Sequence, residues 1–294
     1  MSPARLPEGA NSLSEGQARR PKGAPVSAHP FDEAIALAPA GEGCWRGRTS
    51  AAYGNMIGPF GGITAAQALT AVLRDPQRLG EPVAFTVNFA TALVDGPFTV
   101  HARPARTNRS TQHWILEMRQ DGQTVVTATA VTALRRETWA ATEMTMPPAP
   151  PPHELAPRSK HARVEWIRRY DMRFIGGGFP PAWDGAHAAD SLTQLWMRDD
   201  PPRPLDFASL TALADVFFPR IWRRRATPTP IGTVSMTVYF HAAQAQLQRT
   251  GTGYLLGQAR AQGFRGGFFD QTAQLWDESG ELLVTSHQVV YYKE

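Results

Sequence analysis

The sequence has little cysteine, no long apolar run and a modest share of charge, and each shortage excludes a class of protein. Its single cysteine, Cys44, cannot form an intramolecular disulfide or supply a cysteine-rich zinc or iron–sulfur site. No run of 18 apolar residues occurs, so no membrane-spanning helix is expected. Charged residues make up 19 % of the 294 residues and apolar residues 42 %, a composition that favours a folded chain.

Several catalytic motifs are also missing. The sequence contains no Gly-x-Ser-x-Gly nucleophile elbow, no Gly-x-x-x-x-Gly-Lys-Ser/Thr phosphate loop and no His-Glu-x-x-His zinc motif. The three glycines at 176–178 precede Phe-Pro-Pro rather than a helix, so they are not a dinucleotide fingerprint. The eight histidines show no metal-ligand spacing. We therefore expect neither a metal nor a cofactor.

The net charge of +4 is compatible with nucleic acid or with another polyanionic ligand. The basic residues are scattered, which argues against nucleic acid. The one dense run, Arg223 to Arg225, follows Trp222 and is read either as a solvated loop or as a contact for the phosphates of coenzyme A.

Composition divides the chain into four parts. Residues 1–29 are rich in Pro, Gly, Ala and Ser and are predicted to be a disordered tail. The tail carries Arg19-Arg20 but no following apolar segment, so an export signal is rejected and a cytoplasmic location is expected by default. A first folded repeat is predicted over 30–146, a proline-rich linker over 147–160 and a second repeat over 161–294.

Both repeats show the same order of predicted elements: a leading strand region, one apolar helix and four more strands. The first helix is predicted over 63–73, and the second over 207–218, with Asp206 as its N-cap and Pro219 at its end. The remaining predictions are strands at 43–50, 82–91, 97–106, 111–119 and 123–135, and at 163–174, 192–198, 232–241, 252–262, 264–276 and 282–292. A sheet wrapped round one buried helix, present twice, predicts an α+β double hot-dog: two antiparallel sheets, each round a central helix, joined in tandem.

Four motifs, in order, resemble the acyl-CoA thioesterase II family. They are Phe60-Gly61-Gly62 opening a helix that contains Gln67-Ala68-Leu69, Leu213-Ala214-Asp215, the strand Thr233 to His241, and Gly280 to Gln288 with its eight-residue step. The resemblance covers about residues 31–294. It departs from the family pattern after the threonine, where Ser235 and Met236 replace a pair that is often polar or acidic.

The resemblance implies a catalytic Asp215, with Thr233 and Gln288 holding the water or the thioester carbonyl. An aspartate within Leu-Thr-Ala-Leu-Ala-Asp-Val-Phe-Phe would also have a raised pKa, as suits a base. The first helix contains no acid, and its Gln67 cannot act as a base, so one site per chain is expected. The predicted substrate-binding residues are Gly61, Gly62, Phe217, Phe218, Trp222 and Arg223.

Three functions remain open from the sequence. The first is hydrolysis of an acyl-CoA, with the acyl chain in an apolar tunnel. The second is a hot-dog hydratase or dehydratase, although its Asp-x-Asn-Pro-x-His type of segment is missing. The third is an acyl-CoA-binding protein of the same fold without catalysis. The resemblance further implies a homodimer or higher homo-oligomer.

Overall fold

The computed structural model describes Met1 and residues 28–158 and 162–294. The first half contains two α-helices, α1 (Pro30–Ala34) and α2 (Gly61–Leu73), and a 3₁₀ turn at Ala51–Tyr53. Its strands are β1 (Ala38–Pro39), β2 (Cys44–Arg48), β3 (Glu81–Phe89), β4 (Pro97–Thr107), β5 (Thr111–Gln120) and β6 (Gln123–Ala133).

The second half contains three α-helices, α3 (Phe207–Leu213), α4 (Arg220–Arg225) and α5 (Gln244–Thr250). Short 3₁₀ turns lie at Pro152–Glu154 and Glu165–Arg169. The strands are β7 (Tyr170–Gly176), β8 (Thr193–Asp199), β9 (Ile231–Phe240), β10 (Leu255–Arg260), β11 (Phe264–Arg265), β12 (Phe268–Asp277) and β13 (Leu282–Tyr292).

The strands of the two halves form one antiparallel sheet in the order β1-β2-β4-β5-β6-β3-β9-β13-β12-β10-β8-β7, with β11 paired to β12. The halves meet where β3 pairs with β9. Thr86 lies opposite Thr237 at this joint, and their hydroxyls are 3.0 Å apart. Each half therefore closes the open sheet edge of the other, which removes two edges that would otherwise expose unpaired backbone groups.

The central helices α2 and α3 pack against each other inside the sheet. From Gly62 to Val72 every residue of α2 is buried, as its run of Ala and Leu predicts. Asp206 caps α3 by accepting a hydrogen bond from the Ser209 N–H at 2.8 Å, as predicted. A Cβ built on Gly62 would lie 2.7 Å from the carbonyl oxygen of Ala212, so the start of α2 lies against the end of α3. The two helices are antiparallel, and one apolar core spans both halves.

The structure corrects the sequence prediction in four places. The strand predicted over 264–276 is divided at residues 266–267 into β11 and β12, which pair with each other. The second central helix ends at Leu213, not at residue 218, and the chain turns at 214–219 before α4 begins. The run Arg223–Arg225 belongs to α4 rather than to a loop. The strand predicted over 163–174 begins only at Tyr170, because Glu165–Arg169 forms a 3₁₀ turn whose Trp166 is buried.

The predicted tail and the proline-rich segment differ in how much of each the structure describes. The predicted tail lies outside the described residues except for Met1, Ala28 and His29. The proline-rich segment packs on the second half, since Trp196 Nε1 donates to the Pro150 carbonyl at 2.8 Å. The boundaries 30–146, 147–160 and 161–294 stay predictions. In the part of the chain that the structure describes, no helix is both long and apolar enough to cross a membrane.

Candidate functional site

The side chain of Asp215 lies between the end of α3 and the beginning of α2. Phe60, the N-cap residue of α2, provides no side-chain hydrogen bond to the helix. The carboxylate of Asp215 lies beside this helix start, where the backbone N–H of Gly62 lowers the pKa of the carboxyl. A Cβ built on Gly61 would lie 2.8 Å from Oδ2 of Asp215, so this carboxylate leaves no room for a side chain at position 61. An anion at a helix N-terminus is stabilised by the helix dipole and the free N–H groups.

Gln288 on β13 holds the other oxygen of this carboxylate. Its Nε2 donates to Oδ1 of Asp215 at 2.8 Å and contacts the sulfur of Met236 at 3.4 Å. Gln288 is only 3 % exposed, and Met236 lies opposite it on β9. Both hydrogens of the amide are thereby directed to Asp215 and Met236. The amide oxygen of Gln288 has no partner among the described residues.

Burial is the main influence on the charge of Asp215. It raises the pKa of the carboxyl to about 7, although the hydrogen bonds from Gln288 and Gly62 lower it. A carboxyl with that pKa is present near neutral pH in both its acid and its base forms. Such a group is suited to accept a proton from water.

A cavity of about 600 Å³ opens beside Asp215. Seven of the nine predicted site residues line it: Asp215, Thr233, Gln288, Gly61, Phe217, Phe218 and Trp222. Gly62 and Arg223 do not line the cavity. Gly62 lies at the start of α2 beside Asp215, and Arg223 lies on α4. Thr233 lies opposite Val290 of β13, and its hydroxyl has no hydrogen bond to Asp215 or Gln288.

Aromatic side chains contribute several further contacts to the wall. Phe60 stacks on Trp166 with ring centroids 4.1 Å apart, and Phe179 stacks on Phe218 at 4.6 Å. Trp222 is fixed by a hydrogen bond from its Nε1 to the Thr229 carbonyl at 2.7 Å. The cavity therefore combines an apolar aromatic surface with a small polar patch, which is the usual composition of a site for a small organic ligand.

Two polar residues near the cavity are not among the sequence predictions. Gln271 of β12 lines the cavity, is 3 % exposed and lies opposite Gln288 in the sheet. Arg220 at the start of α4 is fully buried and donates to the carbonyls of Phe218, Ser191 and Ala259. Burial lowers the pKa of the Arg220 guanidinium to about 9. Its contacts fix the turn that carries Phe217 and Phe218.

Neither residue has a signal in the sequence that distinguishes it. A glutamine within an alternating strand and an arginine directly after a proline are usually solvent-exposed. Only the inward register of Gln271, shared with Phe269 and Ala273 in β12, separates it from an ordinary strand residue. In the described ranges, no three His, Cys, Asp or Glu side chains come together as metal ligands do.

Comparisons with known proteins agree with this architecture. The model for the acyl-CoA thioesterase N-terminal domain matches residues 50–133, and the model for the acyl-CoA thioesterase C-terminal domain matches residues 140–292. No curated protein sequence matches the chain significantly.

Among solved structures, a conserved protein of unknown function with a hot-dog fold from Alicyclobacillus acidocaldarius is 49 % identical. The match covers 91 % of this chain and 99 % of that one, with a TM-score of 0.86. The tesB protein of Mycobacterium avium subsp. paratuberculosis is 19 % identical over 90 % of this chain and 98 % of its own, with a TM-score of 0.70.

An acyl-CoA thioesterase II from Mycobacterium marinum is 16 % identical over 90 % of this chain and 98 % of its own, with a TM-score of 0.68. At these low identities the two mycobacterial structures show the fold alone, and with the first structure they confirm the predicted double hot-dog. The C-terminal domain model alone spans more than half of the sequence, and the two models follow one another along it. The chain belongs to the acyl-CoA thioesterase family.

Proposed function

We propose that this protein hydrolyses an acyl-CoA thioester to the free acid and CoA, with Asp215 as the general base. The observation that carries the proposal is the Asp215 carboxyl itself. It borders an aromatic cavity, is bonded to Gln288 at 2.8 Å and has its pKa raised to about 7 by burial. A thioester is already an activated acyl group, so its hydrolysis requires a positioned water, a base and a donor to the developing oxyanion.

The roles of the three polar residues follow from their free groups. Asp215 takes a proton from a water molecule, and the oxygen of that water bonds to the thioester carbon. Gln288 has both amide hydrogens occupied, so its free oxygen accepts the second hydrogen of the same water. Thr233 lines the cavity and its hydroxyl has no hydrogen-bond partner among the described residues, so it donates to the carbonyl oxygen as negative charge develops there.

Collapse of the tetrahedral intermediate breaks the carbon–sulfur bond. The CoA sulfur leaves with the electron pair and takes the proton held by Asp215, which restores the carboxylate. The acyl group occupies the cavity bounded by Phe217, Phe218 and Trp222. In this proposal Arg223 contributes charge toward the CoA phosphates from outside the cavity wall. A homodimer or higher homo-oligomer and a cytoplasmic location stay predictions.

A panel of acyl-CoAs from butyryl to palmitoyl tests the proposal. Wild type is compared with Asp215→Asn, and chromatography measures the free CoA. Loss of the base should lower kcat on the order of 10²- to 10⁴-fold. The control is Asp199→Asn, since Asp199 is the other buried aspartate with a raised pKa and does not line the cavity. Equal activity of wild type and Asp215→Asn would remove Asp215 from the mechanism.

A non-catalytic acyl-CoA-binding protein is the second candidate. The observation in its favour is Met236, whose sulfur contacts the amide of Gln288 at a place where the family pattern is often polar or acidic. Binding of an acyl-CoA by wild type without any release of CoA would establish this alternative.

A further inference from the structure

The side-chain amide of Gln271 has no hydrogen-bond partner in the described part of the chain. The residue is 3 % exposed and lies in the cavity wall. Gln112 and Gln120 are also buried, and both place their amides on backbone groups: Gln112 Oε1 accepts from the Leu79 N–H, and Gln120 Nε2 donates to the Val94 carbonyl. Gln271 instead leaves its amide free at the cavity, where a polar group of a ligand can bond to it.

The sheet register fixes the position of this amide relative to the proposed base. Gln271 lies directly opposite Gln288 on the neighbouring strand, whereas Met236 lies opposite Gln288 on the other side. Neighbouring strands are about 4.8 Å apart. A ligand atom bonded to Gln271 therefore lies about one strand spacing from the atoms that contact Asp215 and Gln288. On an acyl chain, that distance corresponds to a substituent two carbons beyond the thioester carbonyl.

Along β12 the neighbours of Gln271 offer its amide no hydrogen bond. Phe269 precedes it on the inward face of β12 and Ala273 follows it, and both are buried apolar residues. An unsubstituted acyl chain would leave the donors and the acceptor of the amide unpaired. A hydroxyl satisfies an acceptor or a donor of the amide, and a keto oxygen satisfies a donor.

We propose that Gln271 is a specificity-determining residue that binds a hydroxyl or keto oxygen on the third carbon of the acyl group. The preferred substrates are then 3-hydroxyacyl- or 3-oxoacyl-CoA thioesters. This inference rests on the proposed function. It adds a substrate class selected by a hydrogen bond in an otherwise aromatic cavity. A site that hydrogen-bonds a substrate oxygen discriminates strongly against the analogue that lacks it.

The turnover test compares hexanoyl-CoA, 3-hydroxyhexanoyl-CoA and 3-oxohexanoyl-CoA. For wild type we expect a higher kcat/KM with at least one oxygenated substrate, and the two oxygenated substrates distinguish a hydroxyl from a keto group. Gln271→Leu should reduce the ratio of oxygenated to plain kcat/KM by about 10- to 100-fold. The matched control is Gln274→Leu, which removes the same amide from the same strand on the opposite face.

A binding test separates failure of this inference from failure of the proposed function. Calorimetry measures the affinity of Asp215→Asn, and of Asp215→Asn with Gln271→Leu, for the same three thioesters. If wild type hydrolyses none of them, the proposed function fails. The inference still stands if the first variant prefers an oxygenated ligand and the second loses that preference. Equal affinities in the first variant, or an unchanged preference in the second, overturn the inference. Should Gln271→Leu fail to fold, Gln271→Met supplies an unbranched replacement of similar length for both tests.

Discussion

The pH dependence of hydrolysis follows from the surroundings of Asp215. Burial raises the pKa of its carboxyl to about 7, and only the ionised form accepts a proton from water. About one-tenth of the molecules carry the base at pH 6, half at pH 7 and nine-tenths at pH 8. We therefore expect kcat/KM to rise about tenfold between pH 6 and pH 8 and to level off above it.

Removal of the Gln288 amide should change the pKa of Asp215 in a known direction. The hydrogen bond from Gln288 favours the carboxylate and lowers the pKa of Asp215 against the effect of burial. In Gln288→Leu the pKa should move further above 7, so the rise in kcat/KM should shift to higher pH. The limiting rate should fall as well, because the water loses an acceptor.

The assay is direct chromatography of released CoA at constant ionic strength, since thiol reagents change their own reactivity with pH. Gln274→Leu is the control, because its amide lies on the outer face of β12 and its profile should match that of wild type. A wild-type profile that is flat from pH 6 to pH 8 would refute the role of Asp215 as base. An unchanged inflection in Gln288→Leu would show that the amide does not control the carboxylate.

Three further predictions concern the packing around the site. Gly61→Ala should lower kcat by about 10- to 100-fold in a folded protein, because the new Cβ would lie 2.8 Å from Oδ2 of Asp215 and displace that carboxylate. Steady-state kinetics measures kcat, and circular dichroism shows whether the variant is folded. Burial raises the pKa of Asp199 to about 6 from 3.8, so its contribution to stability is present at low pH and is lost as pH rises through 6. Urea unfolding at pH 5 and pH 8 should show Asp199→Asn gaining about 1 to 2 kcal/mol on wild type between the two; no difference would contradict the shift. Arg203→Met breaks the ion pairs with Asp32 and Asp206, and should cost about 1 to 2 kcal/mol of unfolding free energy at neutral pH but little in high salt.

Regular periodicity explains which parts of the fold the sequence predicts well. The Ala- and Leu-rich helix α2 and the strands β4, β5 and β13 come within about two residues of prediction because the core imposes one pattern along each. The end of α3 is predicted five residues too late, because the residues after Leu213 include no glycine or proline before residue 219. What ends the helix is tertiary: the Asp215 carboxylate is bound by Gly62 and Gln288, which come from distant parts of the chain.

The site residues also divide into those that a sequence motif identifies and those that only the tertiary structure reveals. Asp215 and Gln288 are identified by their resemblance to family motifs, and the structure brings them within hydrogen-bonding distance. Their catalytic roles stay predictions. Gln271 has no such motif, and only the pairing of β12 with β13 places its amide beside that of Gln288. A sequence pattern gives the inward or outward direction of a strand residue but not its neighbour on the next strand.

The two ends of the α2–α3 pair hold their acidic residues differently. At the start of α3 the cap comes from its own chain segment, because Asp206 accepts from Ser209 and is also paired with Arg203. At the start of α2 the N-cap residue Phe60 has no such side chain, and the carboxylate of Asp215 lies beside this helix start from the end of α3. Asp206 is therefore held by local contacts, whereas Asp215 borders the cavity and accepts a hydrogen bond from Gln288. This difference in contacts is what leaves the carboxyl of Asp215, rather than that of Asp206, beside Gln288 in the cavity wall.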